Sequence, residues 1–171
     1  MVAAAVILPQ NFSHPLLNDS KQVSKKNRLI LRDFIQEHTR WAIGICSPQE
    51  IDEINILNAS ILAMHKALNA LKHVPDFILV DGNRFKKYNN IPHACMVKGD
   101  SRFMSIAAAS ILAKTHRDAL MQQMHLDYPV YGFNSHKGYP TLQHRKAIRE
   151  AGICPEHRRT YKLLDEQIKL F

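Results

Sequence analysis

Three cysteines, Cys46, Cys95 and Cys154, are scattered along the 171 residues without a C-x-x-C spacing, which argues against a disulfide framework and against a cysteine zinc site. A reducing setting, the cytoplasm, is the expectation. Long apolar runs are missing too. Nothing approaches the ~20 residues that span a bilayer. The apolar start Met1–Leu8 has no basic region before it and no cleavage signal after it, so neither export nor a membrane is expected. Repeats, low-complexity tracts and linkers are also absent, which leaves residues 1–171 as one domain; a compact fold of that size buries roughly 70% of its unfolded surface. Histidines are present, but His136, His144 and His157 lack a compact ligand spacing, which argues against a histidine zinc site. Acids are in deficit, 15 against 23 Lys and Arg, for a formal charge of +8 and a pI near 9.5. That balance favours a polyanionic partner, because Lys and Arg release counterions from phosphates.

The patterning is that of an α/β chain. M-V-A-A-A-V-I-L, closed by Pro9, reads as a strand buried on both faces. Asn18–Lys21 is turn chemistry, and Ser24 caps a helix over Lys25–His38 with Leu29, Ile30, Phe34 and Ile35 as its apolar stripe. Trp41–Cys46 is a short strand. Ser47-Pro48-Gln49-Glu50 is a capping box with proline at the first helical position, opening a helix to about Leu71 with Ile51, Ile54, Leu57, Ile61, Met64 and Leu68 at three- and four-residue steps. Asp76–Val80 is a strand ending in Asp81-Gly82, and a second strand near Ala94–Val97 delivers Asp100. A helix rich in small residues follows to about Leu126, with Ala107, Ala108, Ala109 and Ser110 admitting a close neighbour. Beyond it lie a polar, aromatic loop, Tyr128–Pro140, a helix over Leu142–Ala151 stopped by Gly152, and a basic tail from His157.

Asp81 and Asp100 each follow a short apolar strand beside a glycine, so both can meet at one edge of the sheet, where ligands collect in open α/β folds. As a bare pair they read either as turn residues or as ligands of Mg²⁺ or Mn²⁺, the hard cations that carboxylates prefer. The loop Asn134–Pro140 joins a cation, Lys137, to Gly138 and the aromatic Tyr139, a combination suited to a phosphate and to stacking on a sugar or base. Lys98, Lys114, Arg117, Arg145, Arg158 and Arg159 are further candidate phosphate contacts.

V-A-A-A-V-I-L-P at 2–9, N-D-S-K at 18–21, A-I-G-I-C-S-P-Q-E-I-D-E-I-N-I-L at 42–57, L-V-D-G-N-R at 79–84, V-K-G-D at 97–100, A-A-A-S-I-L-A-K-T-H-R-D at 107–118, H-K-G-Y at 136–139 and C-P-E-H-R-R at 154–159 together resemble the ribonuclease HII family, in the right order over nearly the whole chain. The resemblance implies a ribonuclease H-like mixed sheet flanked by helices. It implies an endonuclease of DNA replication and repair that cuts the RNA strand of RNA–DNA hybrids and cuts at ribonucleotides embedded in duplex DNA, using four carboxylates and Mg²⁺ or Mn²⁺. Asp81 matches the third carboxylate and Asp100 the fourth. Tyr139 matches the tyrosine under the ribose at the RNA–DNA junction, which helps to read the 2′-hydroxyl. Ser20, Lys21 and Lys137 fall where the family approaches phosphates, and Asp118 reads as structural.

The chain departs from the family pattern at its start. The strand with D-E-A-G-R-G-P that precedes V-A-A-A-V in the family is not in this sequence, and with it go two carboxylates and the G-R-G turn that partners the tyrosine. The expectation is a truncated member, lacking the central first strand and inactive or nearly so, whereas the intact parent would be an active monomer. At roughly 1–3 kcal/mol per buried unsatisfied backbone group, half a dozen such groups facing a gap would rival the ~5–15 kcal/mol net stability of a domain. The alternative expectation is a non-catalytic module that binds RNA–DNA hybrids.

Overall fold

A computed structural model describes residues 1–18 and 23–164. Ser20 and Lys21 therefore lie outside the described residues. The elements in chain order are strand β1 (Val2–Ile7), helix α1 (Lys25–His38), strand β2 (Arg40–Ile45), helix α2 (Pro48–Ala70), strands β3 (Ile78–Asp81) and β4 (His93–Met96), and helices α3 (Met104–Asp127), α4 (Phe133–His136) and α5 (Leu142–Ala151). Among the described residues no helix is long and apolar enough to cross a membrane.

Among the described residues, four strands form two separate pairs. β1 and β2 run antiparallel with Val2 opposite Ile45, and β3 and β4 run parallel with Ile78 opposite His93. Alternation along β1 divides the core: Ala4 and Val6 pack with Leu31 and Ile35 of α1 and Ile111 and Leu112 of α3, while Ala3 packs with Ile51, Ala59 and Ala63 of α2. Helices thus flank both faces, and α3 touches β1 and β3 alike.

Between β1 and β3 runs an apolar slot of about 910 Å³, with Met64 and Leu68 of α2 and Ile106, Ala109 and Ser110 of α3 among its lining residues and Asp81 at its edge. Its sides are strands that each have one partner only among the described residues. The expected gap in the sheet is present, but its consequence is softened. All six residues of β1 are half-buried instead of buried, so solvent reaches the free edge and the full penalty for unsatisfied groups does not apply.

Two corrections concern helix phase. In α1 the buried residues are Leu31 and Ile35, and Leu29 and Ile30 face outward, 41% and 49% exposed. The predicted stripe admitted four apolar residues where the core takes a narrower i, i+4 pair. In α2, Asn55 leaves the helical region (φ 64°, ψ 167°), and its side-chain oxygen accepts from the amides of Leu57 and Asn58, starting the helix anew. The three- and four-residue count from Ile51 therefore fails at Leu57, which is exposed. Beyond the break the face against the sheet is Ala59, Ala63 and Ala67, all without exposed surface. Small residues are needed there because β2 comes very close: a Cβ on Gly44 would stand 2.0 Å from the carbonyl oxygen of Ala63.

The predicted caps are present: Ser47 and Glu50 form the reciprocal capping box, and Ser24 accepts from the amide of Asn27. Thr141 adds a third, accepting from the amide of His144 at the start of α5.

Candidate functional site

Parallel pairing of β3 with β4 places Asp81 opposite Met96, and the amide of Gly82 donates to the carbonyl of Met96 at 3.0 Å. The chain then turns through Lys98, in the left-handed region at φ 55°, into a single 3-10 turn, Gly99–Ser101, that carries Asp100. The turn is fastened to Asp81: the amide of Gly99 donates to Oδ1 of the Asp81 carboxylate at 3.0 Å. Gly99 is buried, and a Cβ there would meet Ile106 at 2.5 Å and Met96 at 3.2 Å, so this approach demands glycine. Asp81 is exposed and Asp100 half-buried. The two acids singled out in the sequence are thus tied through adjacent backbone, and α3 starts immediately behind them, with the carbonyl of Gly99 accepting from the amides of Arg102 and Phe103.

The far part of α3 supports the Tyr139 loop. Arg117 donates from Nη2 to the carbonyl of Lys137 at 2.7 Å, and its guanidinium lies 5.1 Å from the centre of the Tyr139 ring. Lys137 and Gly138 are both left-handed (φ 53° and 79°), and this reversal presents the Tyr139 ring, 60% exposed, to solvent. Arg117, read in the sequence as a further candidate phosphate contact, braces this loop through the Lys137 carbonyl and the Tyr139 ring.

His136, His144 and His157, which the sequence spacing kept apart, are buried together under the loop. The rings of His136 and His144 stack at 4.2 Å, and Nε2 of His144 lies 3.0 Å from Nε2 of His157. Burial pushes His144 and His157 below the ordinary imidazole range, opposed at His144 by its hydrogen bond to the Tyr139 carbonyl. The signal available in the sequence was that two of the blocks, H-K-G-Y and C-P-E-H-R-R, each carry one of these histidines. Among the described residues no group of three or more His, Cys, Asp and Glu is arranged to hold a metal ion.

A small sheet flanked by helices, with paired acids at a strand end and a braced aromatic loop, defines a ribonuclease H-like α/β protein, and two solved structures share the fold. Ribonuclease H2 from Pyrococcus horikoshii OT3 superposes with a TM-score of 0.75 at 22% identity over 95% of each chain. The ribonuclease HII of the PCNA:RNase HII complex from Archaeoglobus fulgidus gives 0.70 at 21% identity, covering 91% of this chain and 83% of that one. The ribonuclease HII family model matches residues 1–164. Ribonuclease HII of Phocaeicola vulgatus is 57% identical over 171 residues, spanning 98% of this chain and 85% of the relative, and that of Porphyromonas gingivalis is 58% identical over 161 residues, 94% and 80%. The chain belongs to the ribonuclease HII family, and its class is a ribonuclease H type endoribonuclease.

Proposed function

We propose that this chain recognises ribonucleotides in a DNA-containing duplex, as the RNA strand of an RNA–DNA hybrid or as single ribonucleotides embedded in DNA, and that Asp81 and Asp100 supply oxygen ligands for Mg²⁺ or Mn²⁺ in phosphodiester hydrolysis. The observation that carries this reading is the bond from the Gly99 amide to Asp81, which holds two carboxylate-bearing segments at one strand edge. Their all-oxygen chemistry fits a hard divalent cation. When bound, such an ion supplies Lewis-acid chemistry, activating water and neutralising charge at the phosphate. Asp81 and Asp100 hold it; Tyr139, exposed and backed by Arg117, offers its face to the sugar and thereby distinguishes a 2′-hydroxyl. Lys137, and on sequence grounds Ser20 and Lys21, approach phosphates in a chain of net charge +8. The setting is the cytoplasm.

Two carboxylates grip a metal pair weakly, and the slot beside Asp81 leaves that acid's strand unsupported on one side. The Tyr139 loop is fully braced, in contrast. Cleavage by Asp81 and Asp100 alone is at or near background; the second reading is a non-catalytic module that binds hybrids through Tyr139 and the basic residues. The test is a single-ribonucleotide duplex incubated with the chain and Mg²⁺ or Mn²⁺. Preferential binding over the all-DNA duplex with little cleavage supports the reading. Cleavage above background that Asp81→Asn abolishes would overturn the inactivity, and equal affinity for both duplexes would overturn the substrate assignment.

A further inference from the structure

Two of the three buried histidines, His157 and His144, form a directed chain of hydrogen bonds on which His136 stacks, and the backbone groups around them settle each tautomer. Carbonyls only accept, so Nε2 of His136, 2.6 Å from the Tyr131 carbonyl, and Nδ1 of His144, 3.1 Å from the Tyr139 carbonyl, carry protons. Amides only donate, so Nδ1 of His136 and Nδ1 of His157 are bare, accepting at 3.1 Å from Gly138 and from Cys154. His157 is then protonated on Nε2 and donates to the bare Nε2 of His144. The order is Cys154 amide to His157, His157 to His144, and His144 to the carbonyl of Tyr139. Every ring is neutral, every ring nitrogen has a partner, and the order ends on Tyr139, whose ring is exposed.

The Tyr139 carbonyl has a second donor, the amide of Thr141 at 2.8 Å, and the Tyr139 amide itself donates to the backbone carbonyl of His136 at 2.9 Å. Its backbone is therefore pinned from both sides while its ring stays free of burial. The aromatic packing around the relay is dense: Phe133 meets all three histidines edge-on or tilted at 5.5–5.9 Å, and Tyr131 meets His157 at 4.8 Å. A side chain that touches substrate must be held within a fraction of an ångström, and second-layer hydrogen bonds are the usual means.

We propose that His144 and His157 are positioning residues for ribonucleotide recognition: their relay from Cys154 sets the backbone of Tyr139 and so the height of its ring against the ribose. This rests on the reading of Tyr139 as the substrate contact. Without the relay the loop still folds, since Arg117 holds Lys137, but the ring is free to shift and ribose discrimination falls while phosphate affinity does not.

The experiment uses the full chain and measures binding to a duplex with one ribonucleotide against the same all-DNA duplex, without divalent metal. His144→Phe keeps the stack on His136 and removes both relay bonds; its ribonucleotide preference falls about three- to tenfold with all-DNA affinity unchanged. His144→Asn, whose amide places a donor where Nδ1 stands, recovers much of the preference, which a generic packing defect would not do. Imidazole ¹⁵N shifts of the unaltered chain supply the second readout: His144 carries its proton on Nδ1, and His136 and His157 on Nε2. An Nε2-protonated His144, or undiminished preference in His144→Phe, overturns the relay. Tyr139→Ala separates the two levels. If it abolishes the preference and His144→Phe leaves it intact, the relay alone fails; if it leaves the preference intact, the reading of Tyr139 fails and the relay's function with it.

Discussion

Gly99 and Asp81, 18 residues apart, are joined by a 3.0 Å hydrogen bond from the Gly99 amide to Oδ1 of the carboxylate, so the turn that carries Asp100 is fastened to the other acid of the candidate metal site. Gly99→Ala would push a methyl to 2.5 Å from buried Ile106 and 3.2 Å from Met96. The expected cost is about 1–3 kcal/mol of stability from overpacking. Because relieving that clash moves the turn whose Gly99 amide donates to Oδ1 of Asp81, Mn²⁺ affinity measured by electron paramagnetic resonance should fall along with the unfolding midpoint. Unchanged Mn²⁺ binding would detach the turn from the metal site.

Gly44→Ala tests the packing of β2 on α2. The added methyl would stand 2.0 Å from the Ala63 carbonyl and 2.5 Å from the Ala67 amide, both backbone groups that cannot rotate away. A loss of about 3 kcal/mol, or failure to fold, is expected in urea unfolding.

These sites show what was legible in the sequence. Helix starts were, because Ser24 and Ser47 announce themselves chemically, and so was the placing of Asp81 at a strand end, because an apolar run ends there in an acid beside a glycine. Phase within a helix was not: the Leu29–Ile35 region offers more apolar residues than the core uses, and the break at Asn55 comes from a side chain turning on its own backbone, which periodicity does not record. The histidine relay was hidden for a further reason. His136 and His157 are 21 residues apart, and only the packing of α5 against the loop brings them together.

Protonation should weaken the fold in two windows. His144 and His157 sit below the ordinary imidazole range through burial, with His136, Tyr131, Cys154 and Glu156 the titratable groups around them. The unfolded chain takes up protons near ~6.5 while the folded one does not, so stability is full above that pH and declines as pH falls below it. The decline should be shallower in His144→Phe, read from urea midpoints between pH 7 and 5.

Glu50 governs the second window. Its carboxylate accepts from Lys66 at 2.5 Å and from the Ser47 amide at 2.9 Å, and those bonds hold it below the usual glutamate range. Its contribution is full above ~4.3, where the unfolded chain is also ionised, and is lost as pH falls through the lower folded value. With both side chains about a third exposed, solvent screens the pair, and Glu50→Gln should cost only about 1 kcal/mol at pH 7 and less near pH 3.

Lys137→Ala should weaken binding to hybrid, ribonucleotide-bearing and all-DNA duplexes alike and flatten the salt dependence by about one counterion, since a phosphate contact carries no sugar information. A loss confined to ribonucleotide-bearing duplexes would instead assign Lys137 to the reading of the ribose.

Recognition is proposed to rest on Tyr139, and metal binding on Asp81 and Asp100. Titration of one labelled duplex bearing a single ribonucleotide, with Mn²⁺ present and both bound and cut strands counted, tests this directly. Tighter binding than to the all-DNA duplex with cleavage near background is the predicted result; rapid cutting that depends on Asp81, or binding indifferent to the ribonucleotide, would contradict it.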